Sequence, residues 1–236
     1  MQDKMKQDDL PSSLLKSVTQ DGASQALVDL SELALDDISS DLLHNEALSK
    51  VPVVGIAVGL AKGALGVRDR LYIRKLLSFL LETSKASDEE RKQYAQKLAE
   101  NPKEHKRASE AVLEILDRIT SAEKAKMVGK IFRAYMVEGT VTTNQLQYLS
   151  EIIDKAYLQD LVSIANNQVP NYYNLVNVGV MNTVPAEQIM KHVQEAQDRE
   201  FSMASRGMSR PALPTITKNA GFTDAGAELA RILRSY

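Results

Sequence analysis

A short run of cationic side chains near the middle of the chain is the first candidate for chemistry. The run consists of Arg68, Arg70, Arg74 and Lys75. Guanidinium and ammonium groups at this density can bind the phosphates of lipid headgroups or of a nucleic acid. The alternative is a solvated helix face on which the cations pair with Asp69 and with glutamates between residues 82 and 90. We expect the solvated face, because a net charge of −2 gives no general attraction to nucleic acid.

The other titratable residues do not form a recognisable catalytic or metal-binding pattern. His44, His105 and His192 are far apart and each stands beside charged residues rather than other ligands, and the chain has no cysteine. Glu110, Glu114 and Asp117 share one helix face, but an acid and base pair also needs two different environments and a pocket. Asp117 with Arg118 is expected to form an ion pair inside the bundle. We therefore expect no enzymatic activity, no metal and no cofactor.

Three glycines spaced four residues apart form the most distinctive feature of the chain. They are Gly55, Gly59 and Gly63, within an apolar run that follows Pro52. The run lacks the Lys-Ser/Thr pair that would make Gly55 to Gly59 a phosphate-binding loop. Each glycine costs roughly 1 kcal/mol relative to alanine in a helix, so three of them indicate a surface for close helix packing. Gly59→Leu is then predicted to abolish folding or assembly.

This glycine helix can pack in a tight core or insert into a membrane. Residues 51–67 would reach about 25 Å as a helix, which is shorter than a hydrocarbon layer of about 30 Å. A lysine at position 62 makes insertion still more costly. We favour core packing, and a membrane-active helix is the alternative.

A second candidate interaction segment lies near the C-terminus, where residues 202–214 lose all periodicity. The candidate contact residues are Met203, Arg206, Met208 and Arg210. Methionines offer adaptable apolar contacts and arginines suit an acidic partner surface. We expect this loop to be mobile and to become ordered on a partner, with an idle surface loop as the alternative.

Helix signals divide the chain into three parts. Residues 1–50 form an acidic leader in which residues 1–12 are expected to be disordered and residues 27–43 to form one amphipathic helix. Residues 51–166 show helical periodicity, with start signals at Ser87, Asn101, Thr120 and Thr142, so they predict a helical bundle. The N-terminus lacks the apolar core of a secretory signal, so we expect a cytoplasmic protein.

The last part, residues 167–236, has the order of elements found in winged-helix proteins. A short helix ends near Gly179, an insertion follows, and residues 215–222 form a strand that leads into a helix capped by Thr223. A DNA-reading helix would carry Lys or Arg, whereas this one carries Tyr172, Tyr173 and Asn174. We expect the topology without DNA binding.

Several short motifs in this order resemble a group of poorly characterised bacterial and phage-borne helical proteins of the abortive-infection type. The motifs are Val51-Pro-Val-Val-Gly55, Val67-Arg-Asp-Arg-Leu71, Leu116-Asp-Arg118 and Glu123-Lys-Ala-Lys126. The resemblance covers roughly residues 50–165 and implies a role in conflict between host and phage. The acidic leader and residues 187–214 depart from it.

Together these patterns predict an all-α multi-helix bundle with a small C-terminal winged-helix-like α+β appendage. The expected function is that of a non-enzymatic interaction protein in phage exclusion or host defence, which binds a protein partner or a second copy of itself. The alternatives are a membrane-active abortive-infection effector that uses the glycine helix and a winged-helix DNA-binding regulator.

Overall fold

The fold is built from helices, as the periodicity predicted. A computed structural model describes residues 10–20, 26–27, 50–60, 66–139, 141–168, 170–183, 194 and 221–235, of which 79% are helical. The helices within these residues are α1 (Leu10–Thr19), α2 (Pro52–Leu60), α3 (Val67–Thr83), α4 (Asp88–Glu100), α5 (Pro102–Arg118), α6 (Ala122–Val137), α7 (Thr143–Lys155), α8 (Leu158–Ala165), α9 (Tyr172–Asn177) and α10 (Asp224–Ser235).

The centre of the bundle is the crossing of α3 and α6. Phe79 on α3 meets Phe132 on α6 edge to face, with the ring centroids 5.4 Å apart, and both rings are fully buried. Gly129 lies where the two helices approach most closely, because a Cβ atom at this position would stand 2.8 Å from the backbone oxygen of Phe79. Glycine is therefore required at position 129 of α6, which the sequence pattern did not predict.

The N-terminal helix α1 belongs to the bundle core. Leu14 is fully buried, and the Ser17 hydroxyl accepts a hydrogen bond of 3.1 Å from the backbone N–H of Val53 at the start of α2. The expected disorder of residues 1–12 is wrong for residues 10–12, which lie in α1. The hydrophobic core includes residues on both sides of residue 50.

Helix starts follow the local signals closely. Ser87 and Thr142 form capping boxes with Glu90 and Gln145, as the sequence predicted. The cap of α6 is Ser121 rather than Thr120. The single long helix expected after Thr142 is instead two helices, α7 and α8, with extended backbone at residue 156 between them.

The C-terminal helix packs onto the bundle against α6 and α8. Lys130 Nζ on α6 donates to the backbone oxygen of Leu233 at 2.9 Å, and Arg231 forms an ion pair of 2.7 Å with Glu138. Thr223 caps the helix as predicted, since its hydroxyl accepts from the N–H of Gly226 at 3.0 Å. In the described part of residues 167–236, β-structure is limited to one antiparallel bridge between Met181 and Phe222.

The winged-helix prediction therefore gains no support from the described residues. The short helix and Gly179, at φ +77°, are where the sequence placed them. Residues 215–220, which were expected to form the strand, lie outside the described part of the chain, as do most residues of the insertion.

The glycines of α2 are not packed against another described helix. The described part of the glycine helix is α2, which buries Val53 and Val54, whereas Gly55 and Gly59 are exposed, with open space where a Cβ atom would stand. Among the described residues, the glycine face is therefore not a helix contact, and none of them obstructs the Cβ atom that Gly59→Leu adds. Gly63 lies outside the described residues. Among the described helices, none combines the length and apolar character needed to cross a membrane.

Candidate protein-binding cleft

Four helices, α1, α2, α3 and α5, enclose a cleft of about 790 Å³, which we call the main cleft. Its floor is apolar, and the floor residues are Leu10, Pro11, Ala57, Tyr72, Ile73 and Leu113. Pro11 and Ile73 are buried, while the other four are only partly covered. The floor thus continues the core outward and leaves apolar surface accessible to a ligand.

Charged residues surround this floor. The rim residues are Arg68, Asp69, Glu110, Glu114, Asp117 and Arg118. Three of the four carboxylates come from α5 at positions i, i+4 and i+7, so they stand in one row along the wall of the main cleft. The chain thus combines an apolar floor with an acidic wall.

An ion pair connects the two walls of the main cleft. Arg68 Nη2 lies 3.3 and 3.2 Å from the two carboxylate oxygens of Asp117, and both side chains are exposed. Arg118 pairs with Asp154 on α7 at 3.5 Å instead. The expected ion pair between Asp117 and Arg118 is therefore wrong, because each residue pairs with a different helix.

Lys75 has a structural role that the solvated-face interpretation missed. Its side chain is buried, and Nζ donates to the backbone oxygens of Asp117 at 3.0 Å and Ile119 at 2.9 Å. These carbonyls end α5, so the ammonium group caps that helix. Burial lowers the pKa of Lys75, and the nearby Asp117 carboxylate partly opposes this shift.

Other basic residues cap helix ends in the same way. Lys124 Nζ donates to the backbone oxygen of Asp154 on α7 at 2.7 Å, and Arg234 Nε donates to that of Ile164 on α8 at 3.0 Å. Lys130 Nζ caps α10 in the same way, by donating to the backbone oxygen of Leu233. These three cations thus donate to helix-end carbonyls of the bundle and do not form a phosphate-binding face with one another.

A smaller cleft of about 360 Å³ adjoins the main cleft. Arg68, Tyr72 and Asp117 line both clefts, so the two form one continuous surface. Burial raises the pKa of Tyr72 to about 12, with the Asp117 carboxylate adding to the shift, so the phenol keeps its proton above pH 10. Lys75 Nζ lies 5.9 Å from the centroid of the Tyr72 ring.

Exposed apolar side chains stand beside these clefts on α3. Val67 is 77% exposed and Leu71, which lines the smaller cleft, is 52% exposed. Single exposed apolar residues are common on protein surfaces, but two at positions i and i+4 next to an apolar floor form a patch.

The structure places the remaining predicted site residues as follows. Arg74 is half-buried in the smaller cleft, and Arg70 is exposed on α3 outside both clefts. Met203, Arg206, Met208 and Arg210 lie outside the described residues, so their predicted role stays a prediction. Three of the four cations between residues 68 and 75 line the smaller cleft, namely Arg68, Arg74 and Lys75. Lys75 also caps a helix.

His105 lies within the core. Its Nδ1 atom is 2.9 Å from the hydroxyl of Tyr135, and its ring meets Tyr94 edge to face at 5.1 Å. Burial lowers the pKa of His105. Within the described ranges, no group of three or more His, Cys, Asp or Glu side chains is arranged to hold a metal ion.

Sequence reasoning missed the residues that make the floor of the main cleft. Leu10, Ala57 and Leu113 lie on three different helices, and each fits the apolar stripe of its helix. They come together only because α1, α2 and α5 all pack around α3. No protein-family model, curated protein or solved structure matches the chain.

Proposed function

We propose that the protein is a helical interaction protein that binds a partner protein through the main cleft and the adjoining patch of Val67 and Leu71. The observation that carries the proposal is the combination of a partly exposed apolar floor of about 790 Å³ with a charged rim. Protein interfaces share this anatomy, with an apolar centre surrounded by polar groups.

The residue types on this surface support the proposal. Tyrosine and arginine are over-represented among the residues that contribute most to binding energy in protein interfaces. Tyr72 and Arg68 stand at the junction of the two clefts, where Tyr72 is partly buried and Arg68 pairs with Asp117. A side chain that is already partly buried, such as Tyr72, loses less conformational entropy on binding.

Photo-crosslinking in cells tests this proposal directly. A photoreactive amino acid replaces Leu71, beside the cleft, or Gln96, which is exposed on α4 outside the cleft. We expect adducts of discrete mass from the Leu71 position and none from the Gln96 position. Equal adducts from both positions, or none from Leu71, would contradict the proposal.

A second copy of the chain is the other candidate partner, and the exposed glycine face of α2 favours it. Gly55 and Gly59 have open space above them, which would allow another helix to approach closely. Multi-angle light scattering distinguishes the two candidates. A dimer that Gly59→Leu converts to monomer, without loss of helix content, would support self-association.

The expected role in phage exclusion rests on the sequence resemblance alone. The partner is therefore to be sought in bacterial cells infected by phage. Phage plaque counts on cells with and without the protein test it, and an Ala57→Arg variant, which fills the cleft floor, is expected to behave like cells without the protein.

A further inference from the structure

The acidic wall of the main cleft identifies the kind of partner that fits it. Glu110 and Glu114 stand four residues apart on α5, an arrangement in which like charges destabilise an isolated helix. Glu110 is 4.0 Å from Lys106, at the limit of an ion pair, and no described residue pairs with Glu114. Within the described part of the chain, the wall therefore carries negative charge that is only partly neutralised.

The cations on the rim do not balance this charge. Arg68 is engaged with Asp117, and Arg118 turns to Asp154 on α7. Among the described residues, none on the opposite wall of the main cleft is a cationic partner of Glu110 or Glu114. An occupant that brings positive charge to this wall would be attracted, and one that brings negative charge would be repelled.

The shape of the surface favours a helix as the occupant. Every described residue that lines the main cleft lies in a helix, and the described residues offer no open sheet edge to which an extended peptide could add. The main cleft joins the smaller cleft at Arg68, Tyr72 and Asp117, and the smaller cleft extends the surface to the exposed Leu71. An amphipathic helix lays its apolar stripe along such a floor and presents its flanks to the walls.

We propose, on the basis of the function proposed above, that the main cleft binds an amphipathic helix of a partner protein with lysine or arginine on the flank that faces Glu110 and Glu114. The apolar stripe of this helix contacts Ala57 and Leu113. Its basic flank follows the row of carboxylates on α5.

Three fluorescent synthetic helices of about 14 residues, or roughly four turns, test the proposal by fluorescence anisotropy. All three carry the same leucine stripe, and their polar faces consist of Lys, Glu or Gln. We expect the Lys-faced helix to bind about tenfold more tightly than the Glu-faced helix, and its affinity to fall as salt is added.

Matched variants locate the binding. The double substitution Glu110→Gln and Glu114→Gln is expected to weaken binding of the Lys-faced helix by roughly 4- to 25-fold, since each of the two exposed charge pairs contributes a factor of about two to five. Glu100→Gln, an exposed residue on α4 outside the cleft, is the control and should leave the affinity unchanged. Ala57→Arg should abolish binding of any helix. Circular dichroism verifies folding, and the exposed glutamate variants keep the test decisive if Ala57→Arg does not fold.

Each other outcome overturns the proposal in a distinguishable way. Equal or tighter binding of the Glu- or Gln-faced helix that Ala57→Arg still abolishes would refute the basic partner and leave the cleft as a binding surface. A dimer of the free chain that Ala57→Arg breaks would make a second copy the occupant. Failure of the Lys-faced helix to bind refutes the basic partner, and absence of cross-links at Leu71 as well would refute the proposed function too.

Discussion

Alanine substitutions at glycines distinguish the two glycine environments in the bundle. Gly55 and Gly59 on α2 have open space at the Cβ position, whereas a Cβ atom at Gly129 on α6 would stand 2.8 Å from both the Phe79 backbone oxygen and Glu82 Cβ. Sequence spacing predicted the opposite, with the close contact at Gly59. The same substitution should therefore raise the free energy of unfolding at Gly55 and Gly59 and lower it at Gly129.

The expected magnitudes follow from helix propensity and from overpacking. Gly55→Ala, inside α2, should raise the free energy of unfolding by up to about 1 kcal/mol, and Gly59→Ala, in its last turn, by a few tenths. Gly129→Ala gains the same propensity but forces α3 and α6 apart, which costs about 1–3 kcal/mol. We expect a net loss of up to roughly 2 kcal/mol, equivalent to up to about 8 °C in Tm for a chain of this size.

Urea denaturation followed by far-UV circular dichroism measures these differences, because the midpoint shifts with stability while the slope stays constant. Measurements at two protein concentrations separate folding from self-association. Loss of stability in Gly59→Ala as large as in Gly129→Ala, at both concentrations, would refute the described orientation of α2.

Three further predictions concern titratable groups. Lys75→Met should lower the free energy of unfolding by about 1–3 kcal/mol, because the last carbonyls of α5 lose a charged donor, whereas Lys103→Met at an exposed position should have little effect in the same urea experiment. Tyr72 should destabilise the protein above pH 10, since the unfolded chain loses the phenolic proton near pH 10 and the folded chain keeps it to about pH 12. Tyr72→Phe should therefore reduce the fall in stability between pH 10 and 12 by up to about 3 kcal/mol, and an unchanged fall would contradict this. Because burial lowers the pKa of His105 below 6.5, the unfolded chain binds the proton first, and stability should fall as pH drops below 6.5. His105→Gln should flatten this acid-side slope in thermal denaturation.

The features of the fold that could be predicted are those set by neighbouring residues. Ser87 and Thr142 cap helices because a hydroxyl and an N–H three residues later meet in any chain with this local geometry. Thr223 follows the same rule for α10. Such signals do not depend on which helix packs against which.

The features that sequence reasoning missed depend on distant residues. Gly55 and Gly129 are indistinguishable as helical glycines until the helix opposite each of them is known. Lys75 stands in a row of cations, and its buried role becomes visible only when the end of α5 is placed above it. The main cleft is a further example, because a partly exposed floor residue such as Leu113 and a core residue produce the same periodic pattern.

Methyl NMR of the protein titrated with the Lys-faced helix tests the central claim that the main cleft is the binding surface. The methyl groups of Ala57, Ile73 and Leu113 should shift in a saturable manner, while those of Leu161 and Ile164 on α8 should not. Shifts confined to residues outside the cleft, or no saturable shift at Ala57 and Leu113, would contradict the account.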